Sequence, residues 1–536
     1  MIAERRRLFA LLAMLSIGVL SFDFGARHLI TNDDTRFPVL ARDVLDNGHW
    51  LLPTLPDGLP HLAKPPLMAW LIALASWPGG AVTVRTAVLP SLLAAIGVAL
   101  LTWWLGARLF NPSAGGVAML VVVTMLGVHA HAHSAMPDMV QLCVLTAAMA
   151  VFAASDWGRR PRLVTAFYGL IGLASLSKGA AGLLPLAIAI VFTIANDGAR
   201  AAKRLVSIPG WIIFVLIAVP WWVTAAMGGG GKRFVDAVVV RDQLAWYFGS
   251  RGWGWQAMAA RFSHPLAVML PWCVALPMAI RAARRPVDSA QTAPLRFLFV
   301  WLATVFAIIA ISNQQRERYY LPLCPAAALL VGWWYSTLPE RRRAWVFATV
   351  WGTVVLVGGL ALTLDTPRYN ATTDLAQLGH VVGDAPAPIY AMDIPELVLS
   401  FNLDRRIPAM KFSAFETRVG HGNRAYLVIS DRALAGVATD PCLEPVARGL
   451  ATRRAFTVLR PRPACAEIDT GGRHQAAVAP ECAGSPASSS TLPPSMRAAR
   501  LPGSGCRAWG AGDRTPGMTG RLPVLVASIC SEPNKP

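Results

Sequence analysis

Long apolar stretches separated by short polar connections run through the first two thirds of the chain. A helix needs about 20 apolar residues to cross the hydrocarbon of a bilayer, within roughly 17 to 25. On that length the pattern predicts spans near 7–24, 83–105, 114–132, 138–155, 163–178, 180–197, 206–225, 264–282, 295–312, 321–338 and 344–364, eleven in all. The run Pro65 to Trp77 is apolar but reaches only about 20 Å as a helix, so it reads as a juxtamembrane or re-entrant piece. Arg5-Arg6-Arg7 before Leu8 to Phe22 resembles a signal peptide, but no small-residue cleavage site follows and many spans do. An uncleaved first helix is expected.

Beyond residue 365 the texture changes. Short β-like runs (Pro388 to Met392, Ala425 to Ser430, Ala455 to Leu459) alternate with polar turns and helix-compatible stretches, which predicts a small α/β domain over 365–465. From 466 to 536 the chain is rich in Gly, Pro, Ser and Arg without sustained periodicity and reads as a disordered or aberrant tail. No internal repeat is visible. The fold class is therefore an all-α polytopic membrane bundle of about 11–13 transmembrane helices, spanning 1–364, with a small C-terminal α/β extramembrane domain.

Composition agrees. Of the 536 residues 54% are hydrophobic and 15% charged, and mean hydropathy is +0.46, whereas soluble chains carry roughly a quarter charged residues. The net charge of +19 would suit nucleic acid, but its basic residues cluster in alternate connections: Arg108; Arg159, Arg160 and Arg162; Arg200, Lys203 and Arg204; Arg281, Arg284 and Arg285; Arg341, Arg342 and Arg343. That phase is a membrane-orientation signal, so no nucleic-acid partner is expected. It predicts a bacterial inner-membrane protein with a cytoplasmic N-terminus. Loops 25–82, 133–138, 226–263 and 313–320 and the C-terminal domain then fall on the periplasmic side. Cys143, Cys273 and Cys324 fall in apolar stretches and are expected to pack as small hydrophobes; the other five cysteines lie past the last span, and none shows metal-ligand spacing.

Candidate chemistry gathers on the outer loops. In Thr31-Asn32-Asp33-Asp34-Thr35-Arg36-Phe37-Pro38, the residues Phe37, Leu40, Ala41, Val44 and Leu45 recur at i, i+3, i+4, i+7 and i+8, predicting an amphipathic surface helix. With Thr35 as N-cap, Asp33 and Asp34 would stand just before its first turn, where carboxylates also simply complement the helix dipole. Asp138 opens the fourth span on the same outer face, and a carboxylate entering an apolar segment marks a functional site. Two converging carboxylate sites could supply a general base or hold a divalent metal, with Asp33 and Asp138 as candidate ligands; no other cofactor is expected. Lys64, before two prolines that keep the chain extended, offers an ammonium suited to phosphate or to snorkelling. Lys178, Arg241, Arg316 and Arg318 are further outer-face cations, against the orientation bias, and fit an anionic ligand. His129, His131 and His133 alternate off one helical face, a poor metal set, with His133 alone near the candidate site. Gly228 to Gly231 lacks the strand and Lys-Ser/Thr of a phosphate loop.

The order Asp33-Asp34-x-Arg36-Phe37, Gly48-His49-Trp50-x-x-Pro53, then Lys64-Pro65-Pro66-Leu67-x-x-Trp70-Leu71 resembles the first outer loop of the polyprenyl-phosphate-dependent glycosyltransferases of the GT-C superfamily. The likeness is to the ArnT-like branch of lipid A aminoarabinose transferases, related to protein O-mannosyltransferases. Met136-Pro137-Asp138-Met139, Ser177-Lys178-Gly179 and Arg318-Tyr319-Tyr320-Leu321-Pro322 extend it over about 20–340. The resemblance implies an inverting enzyme that takes a sugar from undecaprenyl phosphate and gives it to a lipid A-like, glycan or protein acceptor at the periplasmic face. It implies catalytic roles for Asp33, Asp34 and Asp138, with Asp33 the candidate general base where the acceptor is a hydroxyl, and donor-phosphate contacts from Lys64, Arg316, Arg318, Tyr319 and Tyr320. Arg36, His133, Lys178 and Arg241 are candidates for substrate binding. Phe37 where Tyr is common, and Ala63 where an acidic residue often precedes Lys-Pro-Pro, bear on substrate identity. The rival reading is a polytopic lipid or sugar transporter or flippase, which would predict repeated halves and ionisable groups near span centres.

Overall fold

The computed structural model describes residues 2–228, 231–236, 238, 240, 254–284, 289–360, 364, 366–382, 387–419, 425–437 and 442–462. Arg241, Arg285 and the 466–536 tail lie outside them.

Helices α1 (Ile2–Ser21), α4 (Val84–Leu109), α5 (Pro112–Val123), α6 (Leu126–Ala132), α7 (Pro137–Ala154), α8 (Pro161–Lys178), α9 (Leu184–Asp197) and α10 (Ile208–Gly228) are joined by α11 (Trp255–Met269), α12 (Thr292–Ile311) and α13 (Cys324–Thr337). Among the described residues, four segments are long and apolar enough to cross a membrane unaided: Val84–Leu109, Pro161–Asp197, Ile208–Gly228 and Ser289–Ile311. Two bent pairs, α5 with α6 at 63° and Trp255–Met269 with Trp272–Ala283 at 107°, bring the number to six.

Pro161–Asp197 reverses on itself. Arg159, just before α8, bonds Asp197, the last residue of α9, at 3.1 Å. Residues 161 and 197 therefore share one end of the bundle while the 179–183 turn lies at the other, making two passes of α8 and α9. The same end holds Arg204 on Asp197 at 2.6 Å and Arg296 on Asn196 at 2.9 Å. The basic connections thus collect at one pole and leave the opposite pole for the loops that carry the acidic residues. This is a multi-pass helical membrane protein, as the apolar pattern predicts, although fewer of the described helices than the eleven expected spans are by themselves long and apolar enough to cross.

Close backbone approach sets the α4–α5 pair. A Cβ on Gly106 would stand 2.6 Å from the Gly115 Cα, and one on Gly115 would stand 2.5 Å from the Trp103 carbonyl oxygen. Small residues are what let helix backbones meet in lipid, where no hydrophobic force separates helix from tail.

At the loop pole, α2 (Asn32–Asn47) and α3 (Leu67–Ser76) form a platform. Phe37, Leu40, Ala41 and Val44 are buried as the periodicity predicts. Its start differs from expectation: the N-cap is Thr31, whose hydroxyl accepts from the Asp34 N–H at 3.1 Å. Asp33 and Asp34 therefore lie inside the first turn, and Pro38 sits in the helix interior, where it cannot donate to the Asp34 carbonyl. Gly48, left-handed at φ 69°, ends the helix. α3 spans only about 15 Å and is no full crossing.

The C-terminal segment carries a four-stranded sheet, ordered β1 (Ile389–Met392), β2 (Tyr426–Ser430), β4 (Arg454–Pro461), β3 (Leu443–Ala451). β1 and β2 are parallel and the others antiparallel. Helix α14 (Glu396–Asn402) follows β1 and packs on α2.

Replacing Gly115 with leucine is expected to force α4 from α5 and cost about 1–3 kcal/mol. A lower midpoint of thermal unfolding in detergent, compared with a leucine at solvent-open Gly79, checks it.

Candidate functional site

The N-terminus of α2 points its first-turn amides and the positive end of its dipole at the loop pole, which favours a carboxylate there. Asp33 uses that position. Its Oδ2 accepts from Arg316 at 2.8 Å and Arg318 at 2.9 Å, and its Oδ1 pairs with Arg36 one turn on at 3.2 Å. Burial pushes the Asp33 carboxyl upward, but the guanidinium groups of Arg318, Arg36 and Arg316 outweigh it and hold the pKa at about 2.

Asp138 opens α7, with Lys178, the last residue of α8, donating to its Oδ1 at 2.6 Å. The Nε of Arg318 stands 3.9 Å from the same oxygen. Arg318 therefore spans two carboxylates from elements a hundred residues apart. It comes from the 3₁₀ turn Glu317–Leu323 that leads into α13. Tyr319 beside it lies 4.7 Å under the Lys178 ammonium. Burial pushes the Tyr319 phenol well up, more than Arg318 and Arg316 pull it down, so it stays protonated.

Two cavities meet at Arg318. One, of about 240 Å³, is lined by Lys64, Asp138, Gln141, Lys178, Arg318 and Tyr319 at one end and by Leu183, Leu184, Ala187, Ile308, Ile309 and Leu321 along its walls. It suits an anionic head on an apolar tail. The other, of about 290 Å³, is polar, lined by Arg27, Thr31, Asp33, Asp34, His131, His133, Ser134, Arg318 and Tyr369. Here Asp34 is 7% exposed; its Oδ2 accepts from Thr31 at 2.7 Å and Tyr369 at 3.5 Å, while Oδ1 has no partner. Burial raises the Asp34 pKa, against the Thr31 hydrogen bond and the Arg27 charge. The buried His133 Nε2 is likewise unpartnered.

The expected residues thus fall into place unequally. Asp33, Arg36, Asp138, Lys64, Lys178, Arg318 and Tyr319 form one charged cluster with Arg316, while Asp34 and His133 face the polar cavity. Arg316 reaches Asp33 but does not line the apolar cavity. Tyr320 is fully buried with its hydroxyl on Gln315 at 2.6 Å, because the 3₁₀ turn that presents Tyr319 points its neighbour inward. Gln141, Arg27, His131 and Tyr369 were not anticipated. Gln141, one turn after Asp138 in an apolar helix, carried a readable signal; Tyr369, beyond the last span, carried none.

The residues do not fit a divalent metal. The carboxylates of Asp33 and Asp138 already face guanidinium and ammonium groups, and no group of three His, Cys, Asp or Glu with ligand geometry occurs among the described residues. Five cations (Lys64, Lys178, Arg36, Arg316, Arg318) against the three carboxylates of Asp33, Asp34 and Asp138 leave a positive surplus that would repel one.

Residues 63–223 match the family model described as dolichyl-phosphate-mannose-protein mannosyltransferase. The undecaprenyl phosphate-α-4-amino-4-deoxy-L-arabinose arabinosyl transferase of Edwardsiella ictaluri is 26% identical over 66% of this chain and 64% of its own length. That of Pectobacterium atrosepticum is 27% identical over 67% and 63%. The matched region thus spans under two thirds of these relatives. The crystal structure of ArnT from Cupriavidus metallidurans bound to undecaprenyl phosphate superposes with a TM-score of 0.72 at 17% identity, covering 84% of this chain and 97% of that one. The oligosaccharyltransferase of Archaeoglobus fulgidus gives 0.51 at 12% identity, covering 80% and 69%. The chain shares the fold of these structures, and its likeness to ArnT-like glycosyltransferases extends to sequence as well as structure. The apolar helices and the bacterial relatives together make it a multi-pass protein of the bacterial inner membrane.

Removing the ammonium in Lys178→Met should leave Asp138 as a buried, incompletely compensated charge and cost about 3–5 kcal/mol. The double variant Lys178→Met with Asp138→Leu should recover much of that loss in thermal unfolding; no recovery would mean the pair is not energetically coupled.

Proposed function

We propose that this chain is an inverting glycosyltransferase that moves a sugar from a polyprenyl phosphate, of the undecaprenyl type, to a lipid A-like, glycan or protein acceptor at the periplasmic face. The observation that carries the reading is Arg318, which lines both an apolar cavity with cations at one end and a polar cavity with two carboxylates. The relatives named above are transferases rather than carriers, which favours this over a lipid transporter. The basic pole of the bundle faces the cytoplasm and the site faces outward, by the retention of positive connections inside.

In this reading the donor's phosphate sits among Lys64, Lys178 and Arg318, with its isoprenoid tail along Leu184, Ala187 and Ile308. The sugar projects past Arg318 into the polar cavity, beside Asp33, Asp34 and His133. The acceptor oxygen forms a bond to the anomeric carbon from the face opposite the phosphate. The carbon–oxygen bond to phosphate breaks, and its electron pair leaves with polyprenyl phosphate. Preorganised cations stabilise the charge that develops there, in a water-poor site where such groups count most. Tyr319, held protonated, is a neutral donor at the same end.

Where the acceptor is a hydroxyl, its proton goes to Asp34. Asp33, with a pKa of about 2 and three guanidinium partners, is a weak base and instead fixes Arg316 and Arg318. Asp34 has an unpartnered oxygen and a raised pKa, which brings it nearer the proton affinity a general base needs. An acceptor that is already an anion, such as a lipid phosphate, needs no base.

Transfer from a labelled undecaprenyl-phosphate sugar in membranes tests the reading. With a hydroxyl acceptor, Asp34→Asn should lower kcat by about 10²–10⁴-fold with donor binding retained. Arg318→Ala should weaken binding of undecaprenyl phosphate itself. Undiminished transfer in both variants would remove the chemistry from this site.

The base must be ionised, so activity should rise with pH through the Asp34 pKa. That acid limb should lie above the ordinary aspartate value, about 3.9, and vanish in Asp34→Asn. Asp33 stays ionised down to about pH 2 and should add no limb in the working range.

A further inference from the structure

The lead into α2, residues 26–31 together with the first helical residue Asn32, is irregular up to its N-cap Thr31, yet it sets where Asp33 and Asp34 stand. An irregular segment can hold two side chains in place only if its backbone groups are met from outside. The partners come from more than 330 residues later in the chain. The Asn370 side chain accepts from the His28 N–H at 2.8 Å and donates to the Ala26 carbonyl at 2.8 Å, clamping the lead from both sides. Thr452, on the β3–β4 turn, donates to the Ile30 carbonyl, and Asn402 to that of Leu29 at 3.5 Å. The Asn32 side chain accepts from the Leu397 N–H at 3.2 Å and donates to the Glu396 carboxylate at 3.3 Å. Tyr369 then enters the polar cavity itself, with its hydroxyl 3.5 Å from Asp34 and its ring 3.7 Å from the Arg27 guanidinium.

These partners come from three separate places: the short helix Thr366–Asn370, α14 and the β3–β4 hairpin. They converge on seven residues immediately before the two carboxylates. The cations of the apolar cavity are placed differently. Lys64, Lys178 and Arg318 come from the bundle and its loops, and Lys178 and Arg318 are held there by Asp138 and Asp33.

We propose that the C-terminal α/β segment is a positioning element of the active site: through Asn370, Thr452, Glu396 and Tyr369 it fixes the 26–32 lead so that Asp33 meets Arg318 and Asp34 faces the polar cavity. Its catalytic consequence rests on the transferase reading above; its mechanical content does not. Loosening the lead displaces Asp33 and Asp34 while Lys64 and Lys178 stay placed by the bundle and Arg318 keeps Asp138 as its second partner, so the segment governs turnover more than donor affinity. Tyr369 is a positioning residue acting through Asp34, since it donates to the oxygen that also accepts from Thr31.

The test uses the full-length protein in lipid nanodiscs and compares Asn370→Ala with Thr452→Val, singly and together. The control is Arg460→Ala, which breaks an exposed pair with Glu444 elsewhere on the same sheet. Three quantities are read: amide hydrogen exchange over residues 26–35, the Kd for undecaprenyl phosphate, and kcat for sugar transfer. The expected result for the double variant is faster exchange confined to 26–35, a Kd within about two-fold of the unaltered protein, and kcat down by about ten-fold or more, as small misplacements of reacting groups produce. Unchanged exchange overturns the proposal whatever the chain transfers. Faster exchange with unchanged kcat, or a Kd that weakens in step with kcat, overturns it too, since the lead would then not set turnover selectively. A protein that moves no sugar but passes the exchange comparison defeats the transferase reading alone.

Tyr369→Phe separates positioning from packing. Losing the hydroxyl removes a donor to ionised Asp34, so the acid limb of the pH profile should move to higher pH with the ring still over Arg27. A limb that stays in place would reduce Tyr369 to a packing residue and overturn its part in the proposal.

Discussion

The guanidinium of Arg318 lies between the carboxylates of Asp33 and Asp138, and the loop pole is organised around that bridge. Its three participants come from the helix after the first span, the start of α7 and the turn before α13. A guanidinium has fixed, forked donors and keeps its charge, so it can hold two acceptors at a defined spacing where an ammonium would hold one. Taking these groups out of water is costly, and the attraction compensates only when geometry is good and remaining positions are filled. Lys178 on Asp138, and Arg36 and Arg316 on Asp33, fill them.

That arrangement needs irregular backbone beside a membrane, which is tolerated only where protein or an aqueous cavity meets the freed groups. Here the 3₁₀ turns Gly179–Leu183 and Glu317–Leu323 and the lead into α2 all lie at the loop pole, next to the cavities they line. The bundle beneath is helical and held by close approaches such as Gly106 to Gly115. Stability and chemistry are thus assigned to opposite parts of one set of helices. Among the described residues, the α/β segment bonds the second, at residues 23–43.

Much of this was legible in the residues because charge is conspicuous in an apolar chain. Asp138, Lys178 and Arg318 each interrupt or flank an apolar run, and the structure gathers them. The α2 face was legible from its period, but its start was not. Thr31 and Thr35 are both good caps with carboxylates nearby, and the choice depends on contacts to Asn32 from α14, which local sequence does not contain. Strand β3 was missed because its burial does not alternate and its register shifts between Pro445 and Ala447. Tyr319 and Tyr320 read alike as a pair, yet a tight turn sends one into the cavity and the other into the core. Tyr369 was invisible for the opposite reason: its meaning is entirely tertiary.

Adjacent aspartates on one helical turn end in contrary environments. Asp33 faces three guanidinium groups and is held below its ordinary value at about 2, while Asp34 turns into the polar cavity, where burial raises its pKa from the ordinary value. Environments that push two like groups apart are how one site runs two functions at one pH, since the first stays a fixed charge and the second can exchange a proton. The hundred-degree step of a helix is what allows it: residues i and i+1 cannot share a face, so consecutive carboxylates must meet different neighbours. Asp33 turns toward the cations of Arg316 and Arg318, and Asp34 toward Thr31 and Tyr369. The second neighbourhood is partly supplied by the C-terminal segment, so the difference between the two aspartates depends on a part of the chain remote from both.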